Sequence, residues 1–282
     1  MIFVSTGGVS KQPAWKTSEE LLNSGIKNIE LSAGLYDGDQ LQKLKSQKKK
    51  INFQLHNYFP PPPKPFVLNL ASQDNEIIKK SMDHLEKALH YSAELECSNY
   101  SFHAGFLFDP CITSLGKKIR KIKLFDRIEA KKNFIDRVNK ISDIALKLGI
   151  NLQIENNVIS LKNYQEFQSN PFLMVTIDEC KEIMLQTPSN VSLLVDVAHL
   201  KVSSNTLKFS TNNFFNECYE WITSYHLSDN NGKEDTNSEI SDQSWFWGFI
   251  KKEAVKTLEI YNMPFKKIYE QYILTKNINS KL

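Results

Sequence analysis

Five side chains able to donate to a metal or move a proton close β-like runs along the chain. They are His103 in SFHAG, Glu155 in LQIEN, Asp196 in LLVDVAH, His226 in YHLSD and Glu270 in KIYEQ. Each run places its apolar residues first and its acid or imidazole last, just ahead of a polar loop. Parallel strands built this way bring their ends to one mouth of a barrel, where the donors converge. Three carboxylates and one imidazole, from Glu155, Asp196, His226 and Glu270, form a mixed oxygen and nitrogen set. Such a set suits one divalent ion, Mn2+, Mg2+, Co2+ or Zn2+, rather than a metal selected by thiolates. A single acid at a strand end is usually a helix cap, but four in succession would repel one another without a cation between them.

The elements that would position these groups are legible in outline. Eight strand-like runs recur: IFVS, NIELS, INFQLH, NYSFH, NLQIE, VSLLVD, TSYHLS and KIYEQYI. Between several of them, residues 15–24, 76–95, 130–148 and 177–185 carry apolar side chains at spacings of three and four, the helical period. Thr17 with Glu20 and Thr176 with Glu179 have capping-box spacing, and Gly25 and Gly149 stand where left-handed helix ends are expected. Alternating strands and helices in 282 residues predict an α/β fold of (β/α)8 type, a TIM barrel, as one catalytic domain over 1–274 with a polar, frayed tail over 275–282.

Composition narrows the partners. With 35 Lys plus Arg against 32 Asp plus Glu, the net charge of +3 gives no field strong enough to hold nucleic acid or an anionic membrane. No apolar run approaches the roughly 20 residues of a membrane span. Cys97, Cys111, Cys180 and Cys218 are widely spaced without a CxxC pair, which fits a reducing, cytoplasmic setting. Two long loops are expected on the catalytic face. One holds Pro60, Pro61, Pro62, Pro63 and Pro65 and reads as a stiff wall. The other holds Lys117, Lys118, Arg120, Lys121 and Lys123, read either as a phosphate clamp or as a solvated loop. The trio Trp245, Phe246 and Trp247 offers an aromatic stacking face for a ligand or, more commonly, packing within the core or against a second copy, so a homo-oligomer is compatible with the sequence. His84 and His90 fall inside a helical stretch and carry no functional weight. Glu30 either joins the site wall or caps a loop.

The pieces HNYFPPPPKPFVLNLAS from His56, FHAGF from Phe102, IENN from Ile154, DVAHLK from Asp196 and HLSDNNG from His226 together resemble the xylose isomerase-like TIM barrels. That superfamily includes sugar isomerases, ketose epimerases and the endonuclease IV type of abasic-site nuclease. For the sugar-acting members the resemblance implies one divalent metal on Glu155, Asp196, His226 and Glu270, with Glu155 and Glu270 as the bases that exchange a carbon-bound proton of a small sugar or sugar phosphate. His199, in DxxH spacing after Asp196, matches a substrate contact or further ligand, and Asp229 and Lys233 are candidate substrate contacts. For the nuclease-type members the resemblance implies more metals. His56 and His103 match additional ligands there, leaving room for a second ion. The third-metal Asp-x-His is read at Asp242, where Ser244 replaces the imidazole. That replacement and the small net charge favour the sugar enzyme over a phosphodiesterase acting on abasic DNA. A degenerate barrel serving as a binding or scaffold subunit is the third reading.

Overall fold

The computed structural model describes residues 1–9, 11–32, 34–114 and 117–282. Among them, eight parallel strands close into a barrel in chain order: β1 (Ile2–Ser5), β2 (Asn28–Leu31), β3 (Asn52–His56), β4 (Asn99–His103), β5 (Asn151–Glu155), β6 (Val191–Asp196), β7 (Ile222–Leu227) and β8 (Val255–Leu258). Helices run between and after them: α1 (Ala14–Asn23), α2 (Gln40–Gln47), α3 (Asn75–Glu94), α4 (Arg127–Lys147), α5 (Leu161–Phe167), α6 (Ile177–Met184), α7 (Val197–Leu207), α8 (Thr211–Cys218) and α9 (Phe265–Asn279). Parallel pairing demands a crossover after every strand, and closure through β1 and β8 leaves no edge to protect. No described helix is long and apolar enough to cross a membrane.

Seven of the eight expected strands form where the sequence places them. The eighth does not. KIYEQYI lies inside α9, while the strand that closes the barrel is VKTL. The helical period is visible in hindsight, since the residues α9 buries are Ile268, Gln271, Tyr272 and Thr275. Thr275 is wholly buried and its hydroxyl donates to the Gln271 carbonyl, so the segment expected to fray is helical as far as Asn279.

Local signals fare unevenly. Gly25 and Gly149 take positive φ of 90° and 71° at the ends of α1 and α4, where a side chain would be strained. The pairing of Thr17 with Glu20 is not a cap, because α1 begins before Thr17, directly after Pro13. Thr176 does precede α6, yet its side chain makes no cap bond. Glu179 instead accepts from the Met174 N–H and from Arg127.

The loop after β3 is tied down rather than free. Asn69 accepts the N–H groups of Ala71 and Phe106 and donates to the carbonyls of Phe106 and Phe108, stitching this loop to the one after β4. The chain enters the proline run buried at Pro60 and Pro61 and emerges by Pro63, as a stiff wall would. Phe246 and Trp247 are buried and Phe215 stacks on Phe249 at 4.5 Å with Trp245 beside them, so the aromatic trio packs the core.

Candidate metal centre

Strand geometry alone brings the donors together. Glu155 and Asp196 are the last residues of β5 and β6, His56 and His103 the last of β3 and β4, and His226 is next to last in β7. In register, His103 lies beside Glu155 and Asp196 beside His226. Glu155, at the centre, is wholly buried. Its Oε2 lies 3.3 Å from both His56 Nε2 and His103 Nδ1, and its Oε1 lies 3.4 Å from His199 Nδ1 and 3.6 Å from His226 Nδ1.

Two assignments change. Glu270 sits on α9 with its side chain 46% exposed, paired to Lys267 at 3.1 Å. It cannot reach the mouth of the barrel. The carboxylate in its expected place is Glu259, the residue directly after β8, whose Oε2 is 3.0 Å from His226 Nδ1 and whose Oε1 accepts from the Tyr261 hydroxyl at 2.9 Å. The donors of Glu155, Asp196, His226 and Glu259 lie within 4.8 Å of one another. Asp242 is likewise exposed and belongs to none of the donor groups. The aspartate facing His199 is Asp235, 3.2 Å from Nε2. Two residues on stands Asn237, whose amide donates to the Glu259 carbonyl, while Ser244 donates to Asp229.

Asp229 and Lys233 do not enter the cluster. Asp229 holds Lys201 at 2.7 Å, and Lys233 is exposed. The basic loop is exposed at Lys117, Lys118, Arg120, Lys121 and Lys123, with Lys118 paired to Glu166.

The DxxH spacing has a local cause. Asp196 caps α7 by accepting the His199 N–H through Oδ1 at 2.7 Å, which leaves Oδ2 facing the cluster. The two asparagines of IENN are locks: Asn156 accepts the Asp196 N–H, and Asn157 donates to the carbonyls of Ala104, Gly105 and Leu173.

Three imidazoles have one nitrogen pinned and the other turned to the carboxylates. His56 Nδ1 bonds the Ser101 hydroxyl, His199 Nδ1 donates to the Asn156 carbonyl and His226 Nε2 donates to Glu30. Fixing one ring nitrogen sets which lone pair is free for a metal.

Electrostatic strain marks the same place. Burial would push Glu155 up, but the imidazoles of His103, His226 and His56 hold it well below the ordinary carboxylate range. Burial also takes His103 down to about 4, against the pull of Glu155. Burial would lower His226, yet Glu30, Glu259 and Glu155 raise it well above its usual value, and Asp196 and Asp235 do the same for His199. Glu259, despite its burial, is drawn down to about 2 by His226. Burial lifts Asp196 to about 7, against the pull of His199 and with repulsion from Asp235, Glu155 and Glu259.

A divalent cation fits this donor set. Both Glu155 oxygens, Asp196 Oδ2, His226 Nδ1 and His103 Nδ1 are buried without a hydrogen-bond partner. Buried polar atoms are normally satisfied, and these orphans all border one small volume. Two donor groups share Glu155: one with Asp196, His226 and Glu259, the other with His56 and His103.

Residues 19–256 match the family model of the xylose isomerase-like TIM barrel. The chain belongs to that family. No curated protein matches it. Among solved structures, a D-tagatose 3-epimerase-like protein superposes with a TM-score of 0.73 at 18% identity, over 99% of this chain and 98% of that one. The 3-keto-D-glucoside 4-epimerase of E. coli gives 0.68 at 11% identity over 98% of both chains. A Thermus thermophilus protein soaked with ZnCl2 gives 0.64 at 16% identity, also over 98% of both. At such identities the likeness establishes the fold.

Proposed function

We propose that this family member is a divalent-metal-dependent isomerase or epimerase of a sugar or sugar derivative. The observation that carries the reading is the group formed by Glu155, Asp196, His226 and Glu259, buried at the C-terminal mouth with both Glu155 oxygens, Asp196 Oδ2 and His226 Nδ1 unpartnered. Those four residues would hold the ion. When bound, it would draw off the negative charge that develops on adjacent substrate oxygens as a carbon-bound proton leaves. Glu155 and Glu259, the latter in the role expected of Glu270, would take and return that proton. Their oxygens lie 3.6 and 3.0 Å from the same His226 nitrogen, so the two carboxylates flank one point, as a two-base exchange requires. Tyr261 anchors one Glu259 oxygen and leaves the other turned to the cluster. The epimerases among the structural neighbours support a sugar substrate.

Hydrolysis of a phosphodiester is the second reading. It is favoured by the donor group of His56, His103 and Glu155, since two cations sharing Glu155 would suit attack on phosphorus. Against it stand Asn237, an amide two residues after Asp235 where a further imidazole would serve, and the net charge of only +3.

The deciding experiment incubates metal-loaded protein with a panel of ketoses and keto-sugars in D2O and follows deuterium entry beside the carbonyl by NMR. Exchange that disappears in Glu259→Gln and persists in Glu270→Gln supports the isomerase. Incision of abasic DNA without exchange supports the phosphodiesterase, and a protein with neither metal nor turnover is a scaffold.

A further inference from the structure

Directly against the proposed metal-holding group lies a carboxylate outside those four residues, Glu30, whose donor atoms together with those of His56 and His226 also lie within 4.8 Å of one another. Glu30, next to last in β2, is wholly buried inside the barrel. Its Oε2 accepts from Gln54 Nε2 at 2.7 Å, from the Thr257 hydroxyl at 3.2 Å and from His226 Nε2 at 3.2 Å. Gln54 Nε2 also reaches the Thr257 hydroxyl at 2.8 Å. The β2, β3, β7 and β8 strands thus devote one layer of the barrel interior, where branched apolar residues ordinarily pack, to fixing a single oxygen. Burying a carboxylate for packing alone is unfavourable, because an apolar residue of similar volume fills the space without desolvating a charge.

The direction of the bond to His226 supplies the reason. Because Nε2–H donates to Glu30, the lone pair at Nδ1 is left facing Glu259 and Glu155. The other pinned imidazoles lean on uncharged partners, His56 on a hydroxyl and His199 on a carbonyl. We propose that Glu30 is a positioning residue: it locks His226 in the Nε2–H form and, through its negative charge, strengthens Nδ1 as a donor to the divalent cation. This inference rests on the metal-dependent reading above and adds to it a determinant of affinity outside the ligand set.

The test uses metal-free wild-type protein with Glu30→Gln, Glu30→Leu and the exposed control Glu270→Gln, each titrated with Zn2+ and Co2+ by calorimetry. Glutamine keeps an acceptor for His226 but removes the charge, so its dissociation constant is expected to rise about 10-fold. Leucine removes both, with a rise of about 100-fold, the range found when an outer partner of a metal-ligating histidine is lost. The metal-free leucine variant should unfold at the same temperature as wild type or higher, which separates positioning from structural support. In the zinc-loaded wild type, 15N spectra should place the His226 proton on Nε2. Unchanged affinity in both variants, or a proton on Nδ1, overturns the inference. Should leucine prevent folding, the glutamine variant and the 15N spectra still decide it. A wild-type protein that binds no cation removes the metal-dependent reading and this inference together, an outcome distinct from equal affinities.

Discussion

The two ends of the barrel are made by the same eight strands and are chemically opposite. At the N-terminal end polar groups are neutral or matched. Asn28 donates to the Ile2 carbonyl and accepts from Asn52, and Gln153, Ser192 and Thr223 share hydrogen bonds. Lys256, with burial bringing its ammonium down to about 8, donates to the carbonyls of Lys251 and Lys252 at 2.6 Å each. At the C-terminal end carboxylates crowd together with oxygens unpartnered. Lys256 and Glu259 lie only about 10 Å apart at strand rise along the same segment, yet the ammonium of one is satisfied and the carboxylate of the other faces unpartnered atoms. Polar groups are matched at one pole, and at the other buried carboxylate oxygens are left unpartnered, an arrangement that is costly unless a cation joins them.

Substitutions can break that contrast. The largest expected effect is at the mouth: Glu155→Gln, which disturbs both donor groups, should lose bound metal and lower deuterium exchange by on the order of 10^3-fold, read by elemental analysis and NMR. Near-normal metal content would mean that the charges at the mouth serve packing.

Next comes His84, which sharpens the comparison because it borders the mouth from α3 without any carboxylate. Its Nε2 donates to the Asn57 carbonyl and its ring stacks on Tyr58. Burial, reinforced by Lys87, takes it down to about 4. Unfolded, it would titrate near the ordinary histidine value of about 6.5. Between these values the unfolded chain binds a proton that the folded chain refuses, so its contribution is fully present above about 6.5 and is lost as the pH falls to about 4, a change on the order of 3 kcal/mol. Urea unfolding of wild type and His84→Phe across that window should diverge as pH falls, the variant being the less acid-sensitive.

At the opposite pole, Lys256→Met removes the donor to two part-buried carbonyls, those of Lys251 and Lys252, and should cost about 1 kcal/mol in urea unfolding while exchange activity stays unchanged. A large activity loss there would erase the division between the poles. The smallest effect belongs to Glu270→Gln, which should leave metal content, activity and unfolding midpoint within error, since only a solvent-facing pair with Lys267 is removed.

Much of the architecture was readable because strand and helix periods differ and because parallel strands need crossovers. Glu155, Asp196, His226, His56 and His103 were legible for one local reason: each ends, or nearly ends, a run whose apolar residues must face the core. Glu259 was missed because Lys256 interrupts VKTLEI and disguises the strand, while KIYEQYI offers a denser apolar run that in fact repeats with the helical period. Asp235 was missed because it lies in a polar loop where no periodicity singles it out, and Asp242 was preferred on spacing alone. Glu30 was visible as a strand-end acid, but nothing local reveals which imidazole it meets across 196 residues of chain.

By itself, then, the order of residues determined the alternation of strands and helices and the side of the barrel on which acids and imidazoles would gather, since both follow from period and polarity within a few neighbouring residues. Only closure of the barrel decided which carboxylate completes the group, which ring nitrogen each histidine presents and that Glu30 stands against His226. Those choices depend on contacts between strands far apart in the chain, whose register is set by packing the whole interior at once.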